Sequence, residues 1–139
     1  ILDKGADVTD ICSNVDFDTM ASPGSWVVNP DWAAENADVI VRFNRAMFKA
    51  MDFAAAATTD DAVAEEVAGY VSAITGLDVE STIAQRYDGS WLTSAQVLEM
   101  IDSGKLVDYY NAQQTNFGDA AGPLKADEFV LVDLMINAK

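Results

Sequence analysis

Residues 37–57 read ADVIVRFNRAMFKAMDFAAAA, and this stretch decides the fold more than any other part of the chain. Its apolar side chains recur at spacings of three and four, which is the period of a helix and not of a strand. The apolar positions are Val39, Ile40, Phe43, Met47, Ala50, Met51 and Ala54. The opposite face is polar and carries Arg42, Arg45, Lys49 and Asp52. The spacing predicts one long amphipathic helix that buries a single face.

Helix-start and helix-stop residues flank this stretch on both sides. Asn29 followed by Pro30 predicts a short helix before the long one, because Asn caps helices well and Pro fits the first helical position. Asp60 is placed to cap a third helix, which Gly76 ends. The apolar stripe expected to be buried on that third helix is Val63, Val67, Tyr70, Val71 and Ile74.

Further boundaries lie towards the carboxyl end. Asp78 predicts the cap of a short fourth helix, and Thr93 with Gln96 forms a capping box that starts a fifth. Gly104 indicates a break in the helical pattern. A polar loop is expected over residues 111–123, followed by a last helix over about 126–137 whose apolar residues surround much of its circumference.

Two short segments, residues 1–2 and 25–28, are the strand candidates, and neither has a visible partner. Two isolated short strands are not stable alone, so other residues would have to supply the remaining sheet. The chain is therefore predicted to be a single partial domain, residues 1–139, of the α/β class. It would contribute five or six helices and one or two short strands.

Composition excludes several functions. The 139 residues carry 23 acidic and 8 basic side chains, a net charge of -15, which would be repelled by the phosphates of nucleic acid. No histidine is present and Cys12 is the single cysteine, so a Cys/His metal cluster or a Ser-His-Asp triad cannot form within the chain. We expect no enzymatic activity, no cofactor and no metal.

The sequence SWVVNPDWAAENADVIVRF resembles a segment of the substrate-binding proteins of ABC importers, in the taurine, sulfonate and nitrate (thiamine-pyrimidine-like) family. In that family a W-V-V strand leads into a short helix and then a long one. Later segments follow the family's order as well: 59–63 resembles its P-D-E-A-A entry, 75–77 its T-G-L turn, 91–93 its Y-L-T helix start and 100–106 its L-x-x-G-K-L run. The family usually has proline at Ala37 and Thr59, and its loss there affects helix capping more than fold.

The resemblance implies a type II periplasmic-binding-protein-like fold, of which this chain is the carboxy-terminal part. It implies capture of a taurine-like, sulfonate-like or related small organic solute between two lobes and its delivery to a membrane permease. It also implies a periplasmic location, reached by means of a signal peptide that this chain does not contain.

The ligand-binding residues implied by the resemblance precede and include the first tryptophan. They are Asp18, Thr19, Met20, Ser22 and Trp26. At the positions that correspond to residues 18–22, members of the family have a run of the form aromatic-Gly-x-Pro-Thr. Of the residues in this chain, only Ser22 keeps the chemistry of that run. The resemblance therefore leaves the identity of the solute open. Asp18 would favour a ligand with an amino group. Binding titrations of the Asp18→Ala variant with amines test this expectation, which fails if the affinity for amines does not change.

A second interpretation is an autonomous helical module that binds another protein through an exposed apolar face. Residues 25–28 discriminate between the two. Pairing of this segment in a sheet under the long helix favours solute binding, whereas closure of the helices on each other favours the module. Uncovered apolar surface would also promote self-association.

Overall fold

The computed structural model describes residues 25–87 and 91–138. Every regular element in these two ranges is helical. The α-helices are α1 Pro30–Glu35, α2 Ala37–Ala56, α3 Asp61–Thr75, α4 Val79–Ala84, α5 Ser94–Asp102, α6 Lys105–Phe117, α7 Ala126–Phe129 and α8 Val132–Ile136. Two short 3₁₀ turns, Gln85–Tyr87 and Gly118–Ala121, follow α4 and α6.

The predicted α/β fold is wrong for this part of the chain, and so is the type II periplasmic-binding-protein-like fold that the resemblance implies. Residues 25–28, the expected strand, are irregular and exposed. A strand is stable only when another strand satisfies its backbone hydrogen bonds, and the described residues contain no strand to pair with it. The other candidate, residues 1–2, lies outside the described residues.

The predicted starts of the first three helices are confirmed. The Asn29 side chain accepts a hydrogen bond from the Trp32 amide at 3.1 Å, and Pro30 opens α1. The long helix α2 covers Ala37–Ala56, almost the full predicted stretch. Asp60 accepts from the first amides of α3, and Gly76 ends that helix with φ 76°, a left-handed conformation that glycine adopts without strain.

The next boundaries are confirmed as well. Asp78 accepts from the Ser81 amide at 2.8 Å and caps α4. Thr93 and Gln96 form the predicted capping box, with Gln96 N to Thr93 Oγ1 at 3.2 Å and Thr93 N to Gln96 Oε1 at 2.8 Å. Gly104, with φ 77°, separates α5 from α6.

The carboxyl third differs from the prediction in two places. Helix α6 runs through most of the expected polar loop to Phe117, because no glycine or proline interrupts the chain before Gly118. The expected last helix is two short helices, separated where Val130 is extended. Apolar residues around a whole circumference cannot all be buried on one face, and the break lets two short segments turn different sides inward.

The core lies where α2, α5 and α8 meet. Phe48 on α2 packs with Val97 and Ile101 on α5 and with Ala138, just after α8. Half-buried side chains surround them, and these are Val41, Met51, Leu98, Leu106, Val132, Met135 and Ile136. Asp52 joins α2 to α5, since its carboxylate accepts from both the amide and the hydroxyl of Ser94 at 2.7 Å.

Helix α3 buries a different face from the predicted one. It packs against α2 and α4. Its buried residues are Ala64 and Ala68, which are only 3% and 2% exposed. The predicted stripe is half-buried at Val63 and Val67 and exposed at Tyr70, Val71 and Ile74. Alanines allow close approach of neighbouring helices, and the larger apolar side chains are displaced to the adjoining face.

None of the helices in the described ranges combines the length and the apolar character needed to cross a membrane.

Candidate functional site

Of the five predicted ligand-binding residues, Trp26 is the one that the structure describes. Asp18, Thr19, Met20 and Ser22 lie outside the described residues. Trp26 is 76% exposed, and its ring meets the Phe43 ring edge to face, with 5.4 Å between centroids and an interplanar angle of 81°. Trp26 therefore lies on the surface against α2.

Residues 25–29, which lead into α1, are tied to α6 as well as to α2. The Ser25 hydroxyl and the Tyr110 hydroxyl form a hydrogen bond of 2.6 Å, across 85 positions of sequence. Because Trp26 contacts Phe43 on α2, this short segment bridges the two helices. It forms one side of a concave surface.

That surface is an open groove of about 270 Å³, which we name the aromatic groove. Its lining residues are Ser25, Tyr110, Gln113, Gln114, Phe117, Ala121 and Phe129. The volume is slightly below the range of about 300–1,000 Å³ for typical ligand pockets, so it suits a small solute. Three aromatic rings form its walls, and one hydroxyl pair and two amides supply hydrogen-bonding groups.

Contacts within α6 and α7 hold the groove in shape. The Tyr110 ring meets Phe129 edge to face at 6.0 Å, and the Tyr109 ring meets Tyr110 in the same way at 5.8 Å. The Gln113 side chain donates to the Tyr109 hydroxyl at 3.2 Å. Burial raises the pKa of Tyr109 above its ordinary value. The Gln114 side chain donates to the Leu124 carbonyl and anchors the approach to α7.

A second, shallower groove of about 500 Å³ adjoins the first and shares Gln114 and Ala121 with it. Lys125 and Asn111 line this second groove. The Asn111 side chain accepts from the Ala126 amide at 3.2 Å, which fixes the start of α7. Lys125 brings one positive charge to the edge of a surface that otherwise offers hydroxyls, amides and rings.

Among the lining residues of the aromatic groove, all of which belong to the described part of the chain, none carries a carboxylate, an amine or an imidazole. The groove offers hydroxyls, amides and aromatic rings. A small molecule would be held by hydrogen bonds to the hydroxyls and amides and by packing on the rings. Within residues 25–87 and 91–138, no three or more acidic or cysteine side chains are grouped so that they could hold a metal ion.

Sequence reasoning did not find the residues of the groove on α6. Tyr110, Gln113, Gln114 and Phe117 lie at positions i, i+3, i+4 and i+7, so they share one face of a helix. Their common face was missed because residues 111–123 were expected to be a loop. The spacing Y-x-x-Q-Q-x-x-F, with no helix breaker inside it, was the signal that could have found them.

Comparison of the chain with models of protein families, with characterised proteins and with solved structures finds no match. The residues themselves carry the information about function. The relevant observations are the positions of the helix boundaries, the two adjoining grooves and the exposed apolar side chains.

Proposed function

We propose that this chain is a helical part of the solute-binding component of an ABC importer. One observation carries the proposal, which is the position of the helix boundaries. The resemblance implies a short helix and then a long one, a helix entry near Asp60, a turn at Gly76 and a helix start at Thr93. Helices α1, α2, α3 and α5 begin or end at these positions. The proposal concerns the binding role and does not include an α/β architecture.

The chemistry of the two grooves supports a small zwitterionic or sulfonate-like solute. Aromatic walls pack against a short alkyl chain, and amides with hydroxyls donate to oxygens of an oxyanion. Lys125, on the adjoining groove, adds a positive charge suited to a sulfonate or carboxylate. The proposed function is capture without a covalent step, followed by delivery to a membrane permease on the periplasmic side.

Thermal unfolding of the 139-residue chain with taurine, ethanesulfonate, nitrate or a pyrimidine at millimolar concentration tests this proposal. A ligand that binds only the folded state raises Tm. We expect taurine or ethanesulfonate to raise it, and Gln113→Ala to remove the rise because this variant loses a hydrogen-bonding group of the groove. Tyr87→Phe, outside both grooves, is the matched control and should keep the rise. The proposal fails if none of the four solutes changes Tm.

A second candidate function is a helical module that binds another protein. Residues 25–28 favour it, because they pair with no strand in the described ranges and the helices pack on each other. This module should unfold in urea in a single cooperative transition that no solute shifts. A transition that becomes cooperative only with a bound solute would argue against it.

A further inference from the structure

The larger apolar side chains of α3 face outward. Val63, Val67, Tyr70 and Ile74 follow one another at spacings of four, three and four residues, so they share one face of the helix. We name these four residues the α3 outer face. Tyr70 is 61% exposed and Ile74 is 87% exposed, while the two valines are half-buried. The inward packing of α3 uses alanines, and the described helices leave Tyr70 and Ile74 of the outer face largely uncovered.

The exposed apolar surface continues beyond the end of α3. Leu77 and Val79, on either side of the cap residue Asp78, are also exposed. From Val63 to Ile74 the outer face extends about 16 Å along the helix axis, at the usual rise of about 1.5 Å per residue. A ridge of this length and spacing is what one helix offers to another, because alternating steps of three and four place side chains along a helix-helix contact.

The charges around this face determine what kind of helix it accepts. Residues 50–85 contain seven carboxylates and no lysine or arginine. The carboxylates are Asp52, Asp60, Asp61, Glu65, Glu66, Asp78 and Glu80. Glu66 lies beside the outer face, where it accepts a hydrogen bond from the Tyr70 hydroxyl at 3.0 Å. A carboxylate beside an apolar ridge, on a chain with a net charge of -15, complements a basic border around an apolar stripe.

The same charges argue against occupants from this chain itself. A second copy would bring another net charge of -15 and would place its own Glu66 at the same face. Residues 1–24 carry five aspartates and a single lysine, so their charge does not complement the face either. Like charges held close together at an interface oppose association.

We propose that the α3 outer face docks a basic amphipathic helix of another protein. The partner's apolar stripe covers Val67, Tyr70 and Ile74, and its lysines or arginines lie near Glu66. This docking depends on neither solute capture nor the aromatic groove.

Two synthetic peptides of about 18 residues, long enough to form a helix on binding, test the proposal. One has a leucine stripe bordered by lysines, and its matched control has glutamates in place of the lysines. Fluorescence anisotropy with the 139-residue chain gives both affinities. We expect the lysine peptide to bind at least about tenfold more tightly than the glutamate peptide, and its affinity to fall as salt is added.

Matched double variants locate the binding. Tyr70→Ser with Ile74→Ser removes the most exposed part of the outer face, and we expect it to weaken the lysine peptide at least about tenfold. Val27→Ser with Val28→Ser removes exposed apolar side chains elsewhere and should change the affinity by less than about twofold. Far-UV circular dichroism of both variants shows that helix content is retained, which is expected because the substituted side chains are exposed.

Three outcomes would overturn the proposal. Equal weakening by the two double variants means that the peptide contacts exposed apolar side chains without preference for the outer face. Unchanged affinity in the Tyr70→Ser, Ile74→Ser variant means that the peptide binds elsewhere. Dimerisation in sedimentation equilibrium that this same variant abolishes means that a second copy of the chain occupies the face.

Discussion

The core region, formed by α2, α5 and α8, and the outer pair, formed by α3 and α4, use amphipathic helices in opposite ways. In the core region Phe48, Val97 and Ile101 are buried against each other. In the outer pair the buried positions of α3 are alanines, and its larger apolar residues face solvent. An apolar stripe is therefore buried only where a neighbouring helix covers it, and the stripe alone does not determine which helix does so.

The outer pair is stabilised by hydrogen bonds and an ion pair at its ends. Arg86, which follows α4, pairs with Asp61 at the start of α3 at 2.8 Å. This hydrogen bond raises the pKa of the guanidinium, which remains charged. Arg86 also lies over the Tyr87 ring at 4.7 Å, and its carbonyl accepts from the Trp91 indole N–H at 2.7 Å. Local polar contacts here replace the apolar burial that stabilises the core region.

The largest effect is expected from truncation of the core aromatic. Phe48→Ala should lower the free energy of unfolding by about 3 kcal/mol, the lower end of the usual range, because its surroundings are only partly buried. Phe117→Ala is the control at an exposed phenylalanine and should cost less than about 1 kcal/mol. Urea denaturation measures both. Equal losses would show that α2, α5 and α8 do not form the main core.

A smaller effect is expected at the polar contact between α2 and α5. Asp52→Ala should cost about 1–2 kcal/mol, since it removes two hydrogen bonds to Ser94 near the start of α5. Asp52→Asn keeps an oxygen that accepts from the amide and should cost about half as much. Urea denaturation of both variants provides the comparison. If the alanine variant is as stable as the original chain, the contact between Asp52 and Ser94 does not stabilise the fold.

Alanine substitution should change the stability in opposite directions at two glycines of the outer pair, Gly69 within α3 and Gly76 just after it. Gly76→Ala should destabilise the fold by about 1 kcal/mol, because a side chain at φ 76° is strained. Gly69→Ala should stabilise it by about 0.5–1 kcal/mol, because this residue is helical, exposed and has open space where a Cβ would lie. Thermal unfolding of the two variants shows whether each substitution raises or lowers the stability. A loss at both positions would mean that Gly69 contacts a partner.

The helix boundaries could be predicted from sequence because a cap depends on residues within four positions of each other. Asn29, Asp60 and Thr93 bond to amides two or three residues away, and Gly76 supplies its own conformation. Such contacts form without any residue from a distant part of the chain.

Most of the errors concern distant contacts, whereas the missed length of α6 was a local error, since no glycine or proline interrupts residues 105–117. Whether residues 25–28 form a strand depends on a partner strand, and which face of α3 is buried depends on how α2 and α4 approach it. The aromatic groove depends on Ser25 reaching Tyr110 across most of the chain. A period in the sequence gives the apolar face of a helix but does not identify the neighbour that covers it.

The smallest effect expected is the pH dependence of the cap on α4, which tests whether local polar contacts stabilise the outer pair. Hydrogen bonds from the Ser81 amide, and then from its hydroxyl, lower the pKa of Asp78 below its ordinary 3.8. A lowered pKa in the folded state contributes stability above the ordinary pKa, and that contribution is lost as pH falls through the lowered pKa. Asp78→Asn should therefore be less stable than the original chain at neutral pH, with the difference narrowing below about pH 4.

A further variant, Ser81→Ala, locates this effect at the cap. Ser81→Ala keeps the amide donor, which is the larger cause of the shift, so it should retain most of the pH dependence that Asp78→Asn loses. Urea denaturation at a series of pH values from neutral to acid gives the three slopes. Parallel slopes for the original chain and Asp78→Asn would show that the Asp78 carboxylate makes no net contribution. The outer pair would then be stabilised by its buried alanines and by Arg86. The polar cap on α4 would no longer distinguish it from the core region.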